Sequence, residues 1–201
     1  PHMTSVPAHD GDTRTLILDA AQRRLLQYGY HKTTMAEIAD DVGMSAANLY
    51  RYFASKEDIA AECASRCMNE RLARLRVVAE RPAGDVAAKL LDYALELIDD
   101  SHALAGTDSK IGELVATITR QRPALVHAKL TIHEQLLAHI LAEGVAHGEF
   151  DVTDVADTAR QLLGALMLFD VPLFVGLYPR AEFERRAQAT VRLLLDGLRR
   201  R

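Results

Sequence analysis

The residues best equipped for chemistry stand between 43 and 58, Gly-Met-Ser-Ala-Ala-Asn-Leu-Tyr-Arg-Tyr-Phe-Ala-Ser-Lys-Glu-Asp. Ser45 reads as the N-cap of a short helix over about Ala46–Phe53. At about 100° per residue, Leu49, Phe53, Tyr52 and Ala46 turn toward one side. Ala47 and Arg51 turn toward the other, flanked by Asn48 and Tyr50. Leu49 and Phe53 suit a core; Tyr50 and Arg51 point the wrong way for one. Arg and Asn carry the donors that pair with base edges, and an alanine methyl can meet a thymine methyl. Tyrosine hydroxyls, Lys56 and helix N-termini can hold phosphate oxygens. The chemistry served is noncovalent: a grip on a phosphate backbone, with a few side chains left to read bases.

Other reactive types give weaker patterns. Cys63 and Cys67 stand one helical turn apart. A thiol sensor or half of a soft-metal site could use that spacing, but two small buried side chains in an alanine-rich helix are the plainer reading. His127, His133 and His139 recur every six residues. That turns successive rings about 120° apart, wrong for a metal site and suited to solvated or singly buried histidines. Asp170 lies in an apolar run, where a buried carboxylate needs a partner. It could anchor a ligand, bridge two chains, or face water beside a kink at Pro172. No Ser-His-Asp grouping, glycine-rich phosphate loop or His-Glu-x-x-His is present. No catalytic residue, metal or cofactor is expected, and the chain does not read as an enzyme.

The elements that must position the 43–58 stretch are helical. A first helix from near Thr13 carries Ile17, Leu18, Ala21, Leu25 and Tyr28 on its apolar side and ends at Gly29. Thr34-Met35-Ala36-Glu37 is a capping box opening a second helix, with Met35, Ile38, Ala39 and Val42 inward. Gly43 turns the chain into the third. Ser55 with Asp58 opens a long fourth helix, broken after about Glu80 by Arg81-Pro82-Ala83-Gly84. Further helices are expected over about 85–100, 109–120, 123–147, 155–177 and 180–198. Two short helices joined through a glycine match a helix-turn-helix. The expected fold is therefore all-α. A three-helix head over 12–54 carries the helix-turn-helix and joins a larger helical body over 55–201 with a two-helix dimerisation surface. Residues 1–11 read as a cloning remnant and disordered tail.

Bulk composition leaves the polyanion reading to local evidence. The chain has 24 Lys+Arg against 28 Asp+Glu, a net charge of -4. From Arg14 to Lys56, six basic residues face four acidic ones, so this segment alone is positive. Two cysteines make no disulfide framework. No apolar run is long and unbroken enough for a membrane span, so a cytoplasmic chain without a membrane partner is expected.

Residues 13–59 resemble the amino-terminal signature of the TetR/AcrR family of bacterial transcriptional regulators. Gly29, Thr34, Ile38-Ala39, Gly43, Ser45, Leu49-Tyr50, Phe53 and Lys56 stand at family spacing, with Leu25 where the family usually carries Phe. The resemblance implies that Thr34, Tyr50, Tyr52 and Lys56 hold phosphates. It also implies that Ala46, Ala47, Asn48 and Arg51, behind the Ser45 cap, face the bases of a double-stranded, palindromic operator. It further implies a small-molecule effector in the helical body that moves the long fourth helix and respaces the heads, as for a repressor released from DNA. Pocket candidates on inner faces are Met68, Tyr93, Leu97, Ile118, Leu137, Met167, Phe169, Asp170 and Phe174, which suit an apolar or aromatic effector. Residues 147–166 look like the family's entry to its dimerisation helices.

A homodimer is also expected from the residues. Phe183, Ala187, Val191, Leu194, Leu195 and Leu198 make a stripe on the last helix. The helix before it is apolar on most sides, with Leu162, Leu166 and Leu173 facing the interface. Two such helices per chain would form a four-helix bundle. A dimeric protein-interaction module without sequence-specific DNA binding is the competing reading, since Tyr and Arg also serve protein interfaces.

Overall fold

The computed structural model describes residues 10–82, 84–105 and 110–199; the side chains of Asp10 and Leu173 lie outside that description. All regular elements among these residues are helical. They are α1 (Asp10–Tyr28), α2 (Met35–Asp41), α3 (Ala46–Tyr52), α4 (Lys56–Glu80), α5 (Val86–Ala105), α6 (Ile111–Gln121), α7 (Pro123–Ala146), α8 (Val155–Asp170) and α9 (Arg180–Leu198). A 3-10 segment over Pro172–Leu177 lies between α8 and α9. Of the expected tail, Asp10 and Gly11 are helical, and residues 1–9 lie outside the described residues.

The chain forms two compact units, residues 1–66 with 108–121, and 67–107 with 122–201. The first holds α1, α2, α3, the start of α4, and α6. Division after residue 54 is the sequence expectation; here the boundary falls inside α4, and α6 belongs with the head. The core of this unit is Ile17, Leu18, Leu25, Ile38, Leu49, Phe53 and Ile59. Tyr28, expected on the apolar side of α1, is 46% exposed and lies under the Arg24 guanidinium.

Local chemistry fixes the ends of these helices. Thr34 Oγ1 accepts from the Glu37 N–H while the Glu37 carboxylate accepts from the Thr34 N–H, so the capping box is complete. Ser45 Oγ accepts from Asn48 N–H at 3.2 Å and opens α3. Ser55 Oγ likewise accepts from Asp58 N–H at 3.1 Å before α4. Gly29 and Gly43 adopt φ of 88° and 67°, left-handed values that favour glycine at both turns.

The second unit is built on α5, which packs against α7, α8 and α9. Leu90, Tyr93, Leu97, Ile98, Leu137, Ile140, Leu141, Leu166, Phe169 and Phe183 fill its centre. The expected helix over 155–177 stops at Asp170. Pro172 pushes Val171 to φ -97°, ψ 118°, and cannot donate to the helical ladder, so the chain continues as a 3-10 segment.

Candidate functional site

On α3, Leu49 is fully buried and Phe53, its C-cap residue, is 3% exposed. Both lie on the side assigned to the core. Ala47, Tyr50 and Arg51 are exposed, Tyr50 at 53%, while Ala46, Asn48 and Tyr52 are half-buried. A surface depression beside them is lined by Gly11, Arg14, Arg51 and Tyr52. Arg14 braces the end of α3: its Nη1 donates to the Tyr52 carbonyl at 2.9 Å, its guanidinium lies 4.1 Å from the Phe53 ring centroid, and it pairs with Glu62. Tyr52 is half-buried, so it packs partly inward, on the side the helical wheel gave it.

One nearby carboxylate that could repel a phosphate, Asp41, is paired locally. Asp41 accepts from Arg24 Nε at 2.5 Å and Nη2 at 3.0 Å, which holds its carboxyl below the usual range. Arg24 also stands 3.6 Å from Glu37.

Two expected phosphate holders have other duties. The hydroxyl and backbone N–H of Thr34 both donate to Glu37, so its donors are spent on the cap. Lys56 Nζ donates to the Tyr30 carbonyl at 2.8 Å and lies 4.2 Å from the Tyr30 ring centroid. An ammonium has three protons, so Lys56 retains donors for a phosphate.

Residue-level reasoning missed Glu113. Its Oε1 accepts from the His31 N–H at 2.8 Å, and its carboxylate packs so closely on Gly29 that a Cβ there would meet Oε2 at 2.1 Å. Lys110 N–H donates to the Leu26 carbonyl at 2.7 Å, satisfying an end carbonyl of α1. The start of α6 therefore clamps the α1–α2 turn. These pairs are more than 80 residues apart, beyond any local motif.

In the second unit Tyr93, Leu97, Leu137, Phe169 and Asp170 are buried, and Met68, Met167 and Phe174 half-buried. Ile118 does not join them, because α6 belongs to the first unit. Asp170 has a partner that sequence did not suggest: Arg71 of α4, at 2.7 Å. Around them stand Asp100, Ser101 and His133, all buried. Tyr93 Oη and His133 Nδ1 share a 3.0 Å hydrogen bond. Burial pushes the Tyr93 phenol up and the His133 imidazole down, so both are neutral near pH 7. His127 and His139 face solvent. Cys63 is buried and Cys67 half-buried.

The expected dimer stripe is largely spent inside the chain. Leu162, Leu166, Phe183, Ala187, Val191 and Leu195 are core residues of the second unit, because α9 lays that stripe on α5. Leu194 and Leu198 are half-buried, and the Leu173 side chain lies outside the described residues. The outer faces carry Gly164 and Ala165 on α8 and Ala189 and Leu193 on α9, Leu193 being 74% exposed. Among the described residues no helix is long and apolar enough to cross a membrane.

Comparison with known proteins agrees with the head and extends to the body. The family model for "Bacterial regulatory proteins, tetR family" matches residues 17–63, and that for "Tetracyclin repressor-like, C-terminal domain" matches 87–191. The chain belongs to the TetR family and is a ligand-responsive, DNA-binding transcriptional regulator. The fatty acid metabolism regulator protein of Bacillus subtilis (strain 168) is 23% identical over 190 residues, 90% of this chain and 93% of its own. The transcriptional repressor KstR2 of Rhodococcus jostii (strain RHA1) is 29% identical over 155 residues, 74% of each. Among solved structures, a TetR-family regulator from Mesorhizobium loti MAFF303099 superimposes with a TM-score of 0.76 at 21% identity, covering 96% of this chain and 100% of its own. FadR from Bacillus subtilis in complex with stearoyl-CoA does so with a TM-score of 0.66 at 22%, covering 92% and 98%.

Proposed function

We propose that the chain is a repressor that binds a palindromic operator as a homodimer and leaves it when a small apolar effector enters the second unit. The outward face of α3 carries the DNA part of this reading: exposed Ala47, Tyr50 and Arg51 on a helix capped by Ser45 and backed by buried Leu49. Ala46, Ala47, Asn48 and Arg51 face bases. Tyr50, Tyr52 and Lys56 hold phosphates, Lys56 with the protons that Tyr30 leaves over. Thr34 acts through the cap, holding the start of α2 in place.

One short helix reads few base pairs, so two-fold dimers read paired half-sites. The second copy would dock on the outer faces of α8 and α9, on Gly164, Ala165, Leu193 and the outer edges of Leu194 and Leu198. Met68, Tyr93, Leu97, Leu137, Met167, Phe169, Asp170 and Phe174 are the candidate effector contacts. An apolar effector is supported by that composition. The names of the Bacillus subtilis fatty acid metabolism regulator, of the FadR complex with stearoyl-CoA and of the ketosteroid regulator KstR2 of Mycobacterium tuberculosis point the same way. An effector releases DNA only by binding the DNA-free state more tightly than the bound one.

Fluorescence anisotropy with fragments flanking the protein's own gene tests this reading. One fragment should bind far better than the rest, with two chains per site and an affinity that falls steeply with salt. Binding of no fragment at low salt, with random-sequence selection also recovering nothing, would overturn it.

A further inference from the structure

Cations of the first unit are held in two different ways. Arg14 is paired with Glu62, Arg24 with Asp41 and Arg66 with Asp19, so each of these charges is met by a carboxylate. Lys56 is held by two neutral groups, both supplied by Tyr30. Its Nζ donates to the Tyr30 carbonyl at 2.8 Å and stands 4.2 Å from the centroid of the Tyr30 ring. A carbonyl oxygen and the negative face of an aromatic ring attract an ammonium without cancelling its charge.

Tyr30 is itself fixed. It is buried, and its carbonyl also accepts from the Thr33 N–H at 3.4 Å. Its ring meets the His31 ring edge-on, with centroids 5.6 Å apart, and the His31 N–H donates to Glu113 at 2.8 Å. The turn that α6 clamps therefore carries the seat of Lys56.

A lysine that docks on a phosphate gives up rotamer freedom at that moment. One whose ammonium is already fixed in the folded chain gives up less, and binds more tightly for the same contact.

We infer that Tyr30 is a positioning residue for the phosphate grip. Its ring and carbonyl fix the Lys56 ammonium before DNA arrives and leave the charge and the remaining protons for a phosphate oxygen. This inference rests on the reading that Lys56 meets the DNA backbone. A phosphate contact carries no base information, so Tyr30 governs the strength of binding and not the choice of sequence.

Fluorescence anisotropy of the full chain on the operator and on unrelated fragments tests it, in a cycle of Tyr30→Leu, Lys56→Ala and the double variant, with Tyr30→Phe beside them. Tyr30→Leu removes the ring face and keeps the carbonyl. It should weaken every fragment alike, by about threefold per protomer, the scale of a cation–π contact at a partly exposed site. Tyr30→Phe keeps both contacts and should bind as the unaltered chain does. In the Lys56→Ala background, Tyr30→Leu should change nothing further. A merely loosened head would lose the same factor with or without Lys56, and that result would overturn the inference. So would Tyr30→Leu binding like the unaltered chain, or Tyr30→Phe binding as weakly as Tyr30→Leu. One measurement needs no variant to fold. In the NMR spectrum of the unaltered chain, the Lys56 ε-methylene protons should lie upfield of those of exposed lysines, because the ammonium stands over the ring. An ordinary shift there would show that the ring does not hold Lys56. The two failures are separable. If Lys56→Ala binds every fragment as the unaltered chain does, the phosphate reading of Lys56 fails and the inference with it; if Lys56→Ala weakens binding but the cycle is additive, only the role of Tyr30 fails.

Discussion

Arg51, Glu113 and His133 do different work, and only the first was legible in sequence. Arg51 declares itself by its angle on a short capped helix. Glu113 does not, because its partners Gly29 and His31 lie far away along the chain. Gly29→Ala forces a Cβ into a left-handed backbone and onto the Glu113 carboxylate. It should destabilise the head by about 1–2 kcal/mol from the backbone alone, with a further loss that Glu113→Ala partly relieves. A urea-unfolding double-mutant cycle reads that coupling, and purely additive losses would show that Glu113 does not press on Gly29. His133 is legible only as one of three evenly spaced histidines; its burial comes from helices packed around it. Its folded value is depressed by burial, with Asp170 and Asp100 opposing and Arg71 assisting. The unfolded chain therefore takes up the proton first, and stability present above about pH 6.5 is lost as pH falls below it. Melting temperatures at pH 7.5 and 5.5 should differ more for the unaltered chain than for His133→Gln; equal differences would refute this.

At the scale of elements, the head was read well because its signals are local. Capping residues, turn glycines and the first apolar turns sit side by side in sequence, and Ser45, Thr34 and Ser55 all cap as their spacing suggests. Ser45→Ala should cost about 1 kcal/mol, seen as a lower urea midpoint, and should weaken DNA binding because α3 frays at the end proposed to meet the bases. An unchanged midpoint would mean that the cap is idle. The body was read less well for two physical reasons. Apolar composition continues past Asp170 although Pro172 has already ended the α-helical ladder. An apolar stripe also looks the same whether it meets its own chain or another, so Phe183, Ala187 and Val191 read as interface and are core. Arg71 resembles its solvated neighbours on α4, and only the fold brings Asp170 to it.

For the whole molecule, the two compact units divide the work proposed here, the first reading DNA and the second binding the effector and a second copy. The dimer can be tested apart from the fold. Leu193 is largely exposed, so Leu193→Glu should leave the melting temperature of the chain nearly unchanged while sedimentation shows monomers. A variant that stays dimeric would place the interface elsewhere. The most direct test of the central claim compares operator affinity across salt for the unaltered chain, Arg51→Ala and Lys56→Ala. Arg51→Ala should blunt the preference for the operator over other fragments, by about 1–3 kcal/mol. Lys56→Ala should weaken all fragments alike and flatten the salt dependence by about one phosphate contact per protomer. If both variants bind every fragment as the unaltered chain does, α3 and the start of α4 do not meet DNA.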